Sequence, residues 1–222
     1  MEALLVDDVP AAFAVLVTDR APRSMALSGG TTARECYDAV ALRGHDWSVT
    51  TFWFGDERFV PVADADSNEG MARGVWLDRT STGEIHSLAT AGPTPETAAR
   101  NYEAQLRAAD VIDLVHLGLG PDGHTASLFP GSPFLSEADR WVVAAGDVQH
   151  PHARLTFTFG ALAAVRQIVV TVAGAEKHTA FAQVRAGDLD LPASHLVTDP
   201  TLADKTVWLV DRAAAGLLDI PR

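Results

Sequence analysis

Apolar runs and amphipathic stretches take turns along the whole of this chain, and that alternation restricts its fold more than any single residue does. The runs at Met25–Ser28, Val49–Phe54, Leu114–Leu119, Trp141–Ala145, Gln167–Ala173, His195–Thr198 and Thr206–Val210 are rich in Val, Leu and Ile and do not alternate polar with apolar. Such runs suit strands buried on both faces of a parallel sheet. Helical spacing falls between them, at Pro10–Asp19, Thr32–Leu42, Pro95–Ala109, Glu176–Val184 and Arg212–Leu218. Thr94 as N-cap with Pro95 at the first helical position marks the clearest helix start. Strand and helix in turn predict right-handed crossovers and an α/β three-layer sandwich with a mostly parallel central sheet. The 222 residues contain no internal repeat, low-complexity tract or linker, so a single domain over residues 1–222 is expected.

Charge and cysteine content narrow the partners. Seventeen basic residues stand against 29 acidic ones, a net charge of −12, which excludes a nucleic-acid backbone as partner because phosphate polyanions need a basic face. A small phosphorylated metabolite remains compatible, since a few placed cations and backbone amides can hold one. The single cysteine, Cys36, excludes an internal disulfide and a cysteine-based zinc site, and reads as a small buried residue. No apolar run approaches the roughly 20 residues that span a bilayer. The start Met1-Glu2-Ala3 lacks the basic region of a signal peptide. A cytoplasmic chain with no membrane partner is the expectation.

Two irregular stretches, Pro61–Gly74 and Gly118–Pro133, each follow a strand and are rich in Gly, Pro, Asp and Ser. Ligands of open parallel sheets bind outside the strands' carboxyl ends, so these loops are where a site is expected. Four segments there could carry chemistry. Ser28-Gly29-Gly30-Thr31-Thr32 runs from a strand into a helix, where glycines permit close approach and helix amides can donate to a phosphate. It lacks the lysine of a Walker A loop. Read alone, it is equally a Gly-Gly turn with a threonine cap. Asp56-Glu57-Arg58 ends an apolar strand abruptly and leads on to Asp66-Ser67-Asn68. Read alone, this is a solvated turn with an internal ion pair. Its resemblance to a calcium loop fails, because Gly70 falls one position late and Val75 occupies the slot of the bidentate glutamate.

The third segment contains Gly118-x-Gly120-x-x-Gly123, the spacing of a dinucleotide fingerprint, but it lies in mid-chain with Pro121 in its turn. Its informative residue is His124, beside Asp122 on a glycine-bracketed loop, since histidine is the commonest general base near neutral pH. The fourth joins Arg154 to Lys177, one of only two lysines, which follows a strand–Gly turn. A cation at a helix start opposes the helix dipole unless an anion sits there too. His150 and His152 read as a loop pair, since no third metal ligand is evident, and the five tryptophans read as packing residues. No metal and no cofactor are expected.

Taken together, the four segments resemble the 6-phosphogluconolactonase family. That family shares a Ser-Gly-Gly-(Ser/Thr) loop, a Gly-Asp-Glu-Arg-x-Val-Pro segment leading to Ser-Asn, a Gly-x-Gly-x-Asp-Gly-His-Thr-Ala-Ser-Leu-Phe-Pro loop and a late Gly-x-x-Lys. All four occur here in that order, from Ser28 to Lys177. The wider superfamily, with glucosamine-6-phosphate deaminases and ribose-5-phosphate isomerases, implies a modified Rossmann-like three-layer fold. The resemblance implies hydrolysis of 6-phosphoglucono-δ-lactone, with His124 as general base toward water. It further implies Ser28, Gly29, Gly30, Thr31 and Thr32 with Lys177 and Arg154 as the phosphate anchor, and Arg58 at either the phosphate or the carbonyl. Asp56 and Asp122 are expected to orient His124 or the sugar hydroxyls, and Asn68 to shape the pocket. A monomer or weak homodimer is expected. The resembling deaminases carry Asp-Glu-Tyr where this chain has Asp56-Glu57-Arg58, and Asn-Glu-Pro near Ser127–Pro130. A non-catalytic sugar-phosphate sensor, the other alternative, would have no need of His124.

Overall fold

The structure is a computed structural model, described over residues 1–145 and 151–216. In chain order its first half comprises β1 (Glu2–Leu5), α1 (Val9–Arg20), β2 (Ser24–Leu27), α2 (Thr31–Ala41), β3 (Thr51–Phe54), β4 (Asp56–Arg58), α3 (Asn68–Val75) and α4 (Pro95–Ala108). The second half comprises β5 (Leu114–Gly118), β6 (Val142–Ala145), β7 (Arg154–Phe157), α5 (Phe159–Ala164), β8 (Gln167–Val172), α6 (His178–Arg185), α7 (His195–Thr198), α8 (Pro200–Ala203), β9 (Thr206–Val210) and α9 (Arg212–Ala215). Six strands form a parallel sheet in the order β1-β9-β8-β5-β2-β3, flanked by helices. The core is continuous around it, and Trp47, Trp53, Trp76 and Trp208 are all buried in it. No helix among the described residues is long and apolar enough to cross a membrane.

Local signals account for most of the helices. Asp8 caps α1 by accepting from the Ala11 amide at 2.9 Å, and α1 ends on Ala21 in the left-handed region. Thr94 caps α4 ahead of Pro95, as its sequence predicts. The expected helix Arg212–Leu218 is seen as α9 to Ala215, and its last two positions lie outside the described residues. The expected helix from Glu176 begins as a 3₁₀ turn at Ala175–Lys177 and becomes α6 at His178.

Four expectations change. His195–Thr198 is helical, not a strand: Pro192 and Pro200 bracket a single turn in which Thr198 Oγ1 donates to the Ser194 carbonyl at 2.9 Å. A four-residue apolar run is too short for its period to distinguish the two. Trp141–Ala145 lies outside the parallel sheet, because β6 pairs with β7 in an antiparallel three-stranded sheet of order β4-β7-β6. The chain reaches that second sheet at Gly55, whose amide donates to Leu27 of β2 and whose carbonyl accepts from Phe157 of β7. Finally, Pro61–Gly74 is not irregular throughout, since its last part forms α3, and Asp56-Glu57-Arg58 is strand β4 and not a solvated turn.

Glycine-rich α3 has little intrinsic helix propensity. Its start is built from a distance. Ser67 accepts from the Gly70 amide at 2.9 Å, and the fully buried Glu57 carboxylate accepts from the Asn68 and Glu69 amides, each at 2.7 Å. The same carboxylate takes the Arg58 amide at 2.7 Å and Ser67 Oγ at 3.0 Å. Burial pushes Glu57 up to about 7, against the four donors that favour its ionised form. A glutamine here would turn an N–H₂ toward two of those donors, so Glu57→Gln is expected to lower unfolding free energy by about 2–4 kcal/mol. Urea denaturation measures it, and a loss below about 0.5 kcal/mol would contradict this role for Glu57.

Candidate active site

The carboxyl ends of β2, β5 and β8 and the face of the β4–β7 ladder enclose a cavity of about 250 Å³. At β2, Ser28, Gly29 and Gly30 lead into Thr31 and Thr32 of α2, and all five line it. Gly30 is the N-cap and supplies no side-chain cap, so the first amides of α2 have no side-chain acceptor. The longer helices α1, α3 and α4 are each capped by a side chain, whereas α2 and α6 are not. The uncapped start of α2 adjoins this cavity through Thr31, whereas α6 continues the 3₁₀ turn Ala175–Lys177, whose Ala175 carbonyl takes the His178 amide. Uncapped amides and a helix dipole together favour an anion.

The second loop is locked onto the first. A Cβ on Gly29 would lie 1.9 Å from Asn68 Oδ1, so only glycine leaves room for that amide. Asn68 Nδ2 donates to the Asp56 carbonyl at 2.9 Å, and Ser127 Oγ donates to Asp56 Oδ2 at 2.8 Å. Asp56 is therefore a buried link between the strand-end loops, and no hydrogen bond joins it to His124 among the described residues. Of the two aspartates, Asp122 is the one in hydrogen-bond contact with His124.

The third loop folds back on itself: the Gly120 amide donates to the His124 carbonyl at 2.8 Å, and Asp122 Oδ1 lies 2.5 Å from His124 Nδ1. A Cβ on Gly120 would sit 2.1 Å from that same ring nitrogen, so glycine is required for the close approach. The ring is partly exposed and rests on Phe129, with centroids 4.8 Å apart. With Nδ1 engaged, Nε2 is the nitrogen left to meet a ligand or water. Burial acts to raise the Asp122 pKa, but the charge of the His124 ring and the hydrogen bonds around it hold it below the ordinary carboxylate range.

Cations complete the lining. Arg58 and Arg154 stand directly opposite each other in the β4–β7 register, an unfavourable placement for like charges unless an anion lies between them. Arg58 Nη1 donates to the Asp66 carbonyl at 2.6 Å, while its buried Nε has no hydrogen-bond partner among the described residues. The guanidinium of Arg154 lies 5.6 Å from the centroid of the Phe129 ring. Lys177 and Glu176 close the side next to β8.

Every residue picked from sequence lines this cavity except Asp122, which reaches it through His124. Thr171, at the end of β8, lines it as well. Its signal was a hydroxyl inside an otherwise apolar strand. Cys36 is buried, as expected. His152 pairs with Asp66 at 3.1 Å, and His150 lies outside the described residues. Among the described residues no group of three or more His, Cys, Asp or Glu could hold a metal ion.

A parallel α/β sheet whose strand ends bring together an uncapped helix, three cations and a histidine–aspartate pair places the chain among α/β proteins with a cation-lined cavity at the carboxyl ends of the strands. The particular family follows from comparison. Residues 1–208 match the family described as glucosamine-6-phosphate isomerases/6-phosphogluconolactonase, and the chain belongs to it. It is 37% identical over 208 residues to a 6-phosphogluconolactonase of Synechocystis, covering 89% of this chain and 85% of that protein. The crystal structure of a 6-phosphogluconolactonase from Thermotoga maritima superposes with a TM-score of 0.80 at 28% identity, covering 95% of this chain and 99% of that one. A monomeric glucosamine-6-phosphate deaminase has a TM-score of 0.83 at 20% identity, covering 98% of this chain and all of that one, so this fold also serves a deaminase.

The depressed pKa of Asp122 makes its pairing with His124 pH-dependent in one direction. The stabilisation is complete above the ordinary aspartate value of 3.8 and is lost as pH falls through the lower folded-state value. Because the pair is half exposed, its worth is below about 1 kcal/mol. Urea titrations should show a small deficit of Asp122→Asn relative to wild type at about pH 6 that closes as the pH falls below the ordinary aspartate value. A gap that widens on acidification would contradict this.

Proposed function

We propose that this chain is a 6-phosphogluconolactonase, hydrolysing 6-phospho-D-glucono-1,5-lactone to 6-phospho-D-gluconate in the oxidative pentose phosphate pathway. The observation that carries the reading is the oriented His124–Asp122 pair in the same cavity as the uncapped α2 loop. The family membership and the 37% identity to a 6-phosphogluconolactonase support it. In this reading the phosphate rests on Gly29, Gly30, Thr31 and Thr32 with Lys177 and Arg154, while Arg58 answers the negative charge from β4.

His124 Nε2 takes a proton from water as the oxygen attacks the lactone carbonyl. When the tetrahedral intermediate collapses, the bond from C1 to the ring oxygen breaks. The imidazolium returns its proton to that oxygen, leaving the carboxylic acid to ionise in solvent. Asp122 holds the ring's tautomer and stabilises its cationic form through this cycle. Lactone hydrolysis needs no further acid–base pair. The isomerase and deaminase chemistry of the same fold, which moves protons between adjacent carbons, needs more than His124 supplies. The enzyme is proposed to act in the cytoplasm, as a monomer or weak homodimer.

The test is proton release from freshly generated lactone, measured above the spontaneous background. Wild type is expected to accelerate hydrolysis, and His124→Ala to lose about 10²–10⁴-fold in turnover while binding product within a few fold. Near-normal turnover in His124→Ala would remove its assigned role, and no acceleration by wild type would remove the lactonase reading. Lys177→Ala is expected mainly to raise KM for the phosphorylated lactone, with little change toward the unphosphorylated one.

A further inference from the structure

Below the cavity floor, polar side chains meet inside an apolar layer between the parallel sheet and helices α1 and α2. His116 of β5 is fully buried, with its ring 4.2 Å from Phe13 and 5.4 Å from Tyr37, centroid to centroid. The Ser28 amide donates to the Tyr37 hydroxyl at 2.7 Å. That hydroxyl lies 2.9 Å from His116 Nδ1 and 3.3 Å from the Ser28 carbonyl. On the other side of the ring, His116 Nε2 lies 2.9 Å from Thr171 Oγ1. Nothing in the hydrolytic cycle uses these groups, yet the chain they form ends at the cavity on both sides, at Ser28 and at Thr171.

The proton positions follow from counting donors and acceptors. Burial holds the His116 ring down to about 3, so it is neutral, with one nitrogen donating and the other accepting. The phenol proton of Tyr37 has its nearer acceptor in Nδ1, which assigns the ring's own proton to Nε2 and directs it at Thr171 Oγ1. The Cys36 thiol is kept protonated by burial, and its hydrogen bond with the Thr171 side chain acts to lower its pKa, which makes the threonine hydroxyl the donor and the sulfur the acceptor. The threonine oxygen therefore receives the ring N–H, and its own proton has within the protein the weakly accepting Cys36 sulfur, which an anion in the cavity that Thr171 lines outcompetes. Thr171 pairs with Gly118 in the β5–β8 register, at the strand ends beyond which Lys177 lies.

We infer that Thr171 is a further ligand-binding residue whose hydroxyl donates to the phosphoryl group of the bound sugar, with His116 and Tyr37 as positioning residues that fix the direction of that donor. This rests on assigning the cavity to a phosphorylated ligand, as proposed above. In this arrangement Tyr37 serves the anchor twice: it holds the Ser28 backbone, and through the His116 tautomer it presents the threonine proton. Without the phenol, Nδ1 could carry the ring proton and Nε2 would then accept the threonine proton, withdrawing it from the ligand.

The test uses the full-length protein with inorganic phosphate and 6-phosphogluconate as probes in calorimetric titrations, alongside lactonase kinetics. Thr171→Val is expected to weaken both ligands and raise KM by about tenfold or more, with kcat falling far less. Thr171→Ser should restore both to within about twofold, since the donor returns. Tyr37→Phe should raise KM as well, and its effect should shrink in a Thr171→Val background because the two changes remove one donor. In the wild type, ¹⁵N shifts of the His116 ring should show the Nε2–H form. A Thr171→Val protein that binds phosphate like wild type, a serine variant no better than valine, or an Nδ1–H ring would each overturn the inference. Because phosphate binding is read without turnover, a wild type that binds phosphate but leaves the lactone intact would refute the lactonase reading alone. A wild type that fails to bind either probe would refute this one.

Discussion

The Glu57 carboxylate sits at the junction on which the ligand end of this protein depends. It takes the amide of its own neighbour Arg58, the hydroxyl of Ser67 and the first amides of α3, and so fastens strand β4 to a helix that would not hold together on its own propensity. Asn68, the first residue of that helix, then packs against Gly29 and bonds to Asp56. Asp56 in turn holds Ser127 in the loop that carries His124. Four separated stretches of sequence are thereby brought into register through one buried carboxyl group and the short polar contacts around it. An ionised group with four hydrogen bonds tolerates such burial, whereas one that loses its donors does not.

The protein's net charge of −12 and its anion-receptive cavity are compatible because they act at different ranges. Long-range repulsion is screened beyond about 8 Å at physiological salt, whereas Arg58, Arg154, Lys177 and the start of α2 line the cavity itself, where the proposed ligand would lie. Acidic residues elsewhere on the surface thus leave the local field of the cavity largely to its own lining.

Much of this was legible in the sequence because it is locally encoded. The parallel strands announce themselves by apolar runs, and the site residues lie in motifs whose glycines and hydroxyls imply close backbone approach. What was not legible depends on partners far away in the chain. Helix α3 looks like a loop because the carboxylate that nucleates it lies on β4. The strand β6 looks like a member of the parallel sheet because an apolar run does not say which sheet it joins. The turn at His195–Thr198 has too few residues to reveal a period. Asp56 and Asp122 look equivalent in sequence, and only the fold separates the one that ties loops together from the one that meets the histidine. His116 and Thr171 are single polar residues inside apolar strands, and their connection appears only when β5 lies beside β8.

The change of sheet at Gly55 has a thermodynamic consequence. The cavity draws Ser28 and Thr171 from the parallel sheet and Arg58 and Arg154 from the antiparallel one. A ligand seated there acts as a non-covalent crosslink between the two layers and relieves the opposition of the paired arginines. Its binding free energy accrues to the folded state, about 2.7 kcal/mol at a hundredfold excess over Kd. On the proposed function, the concentration of that ligand sets the folded fraction of this protein as well as its turnover.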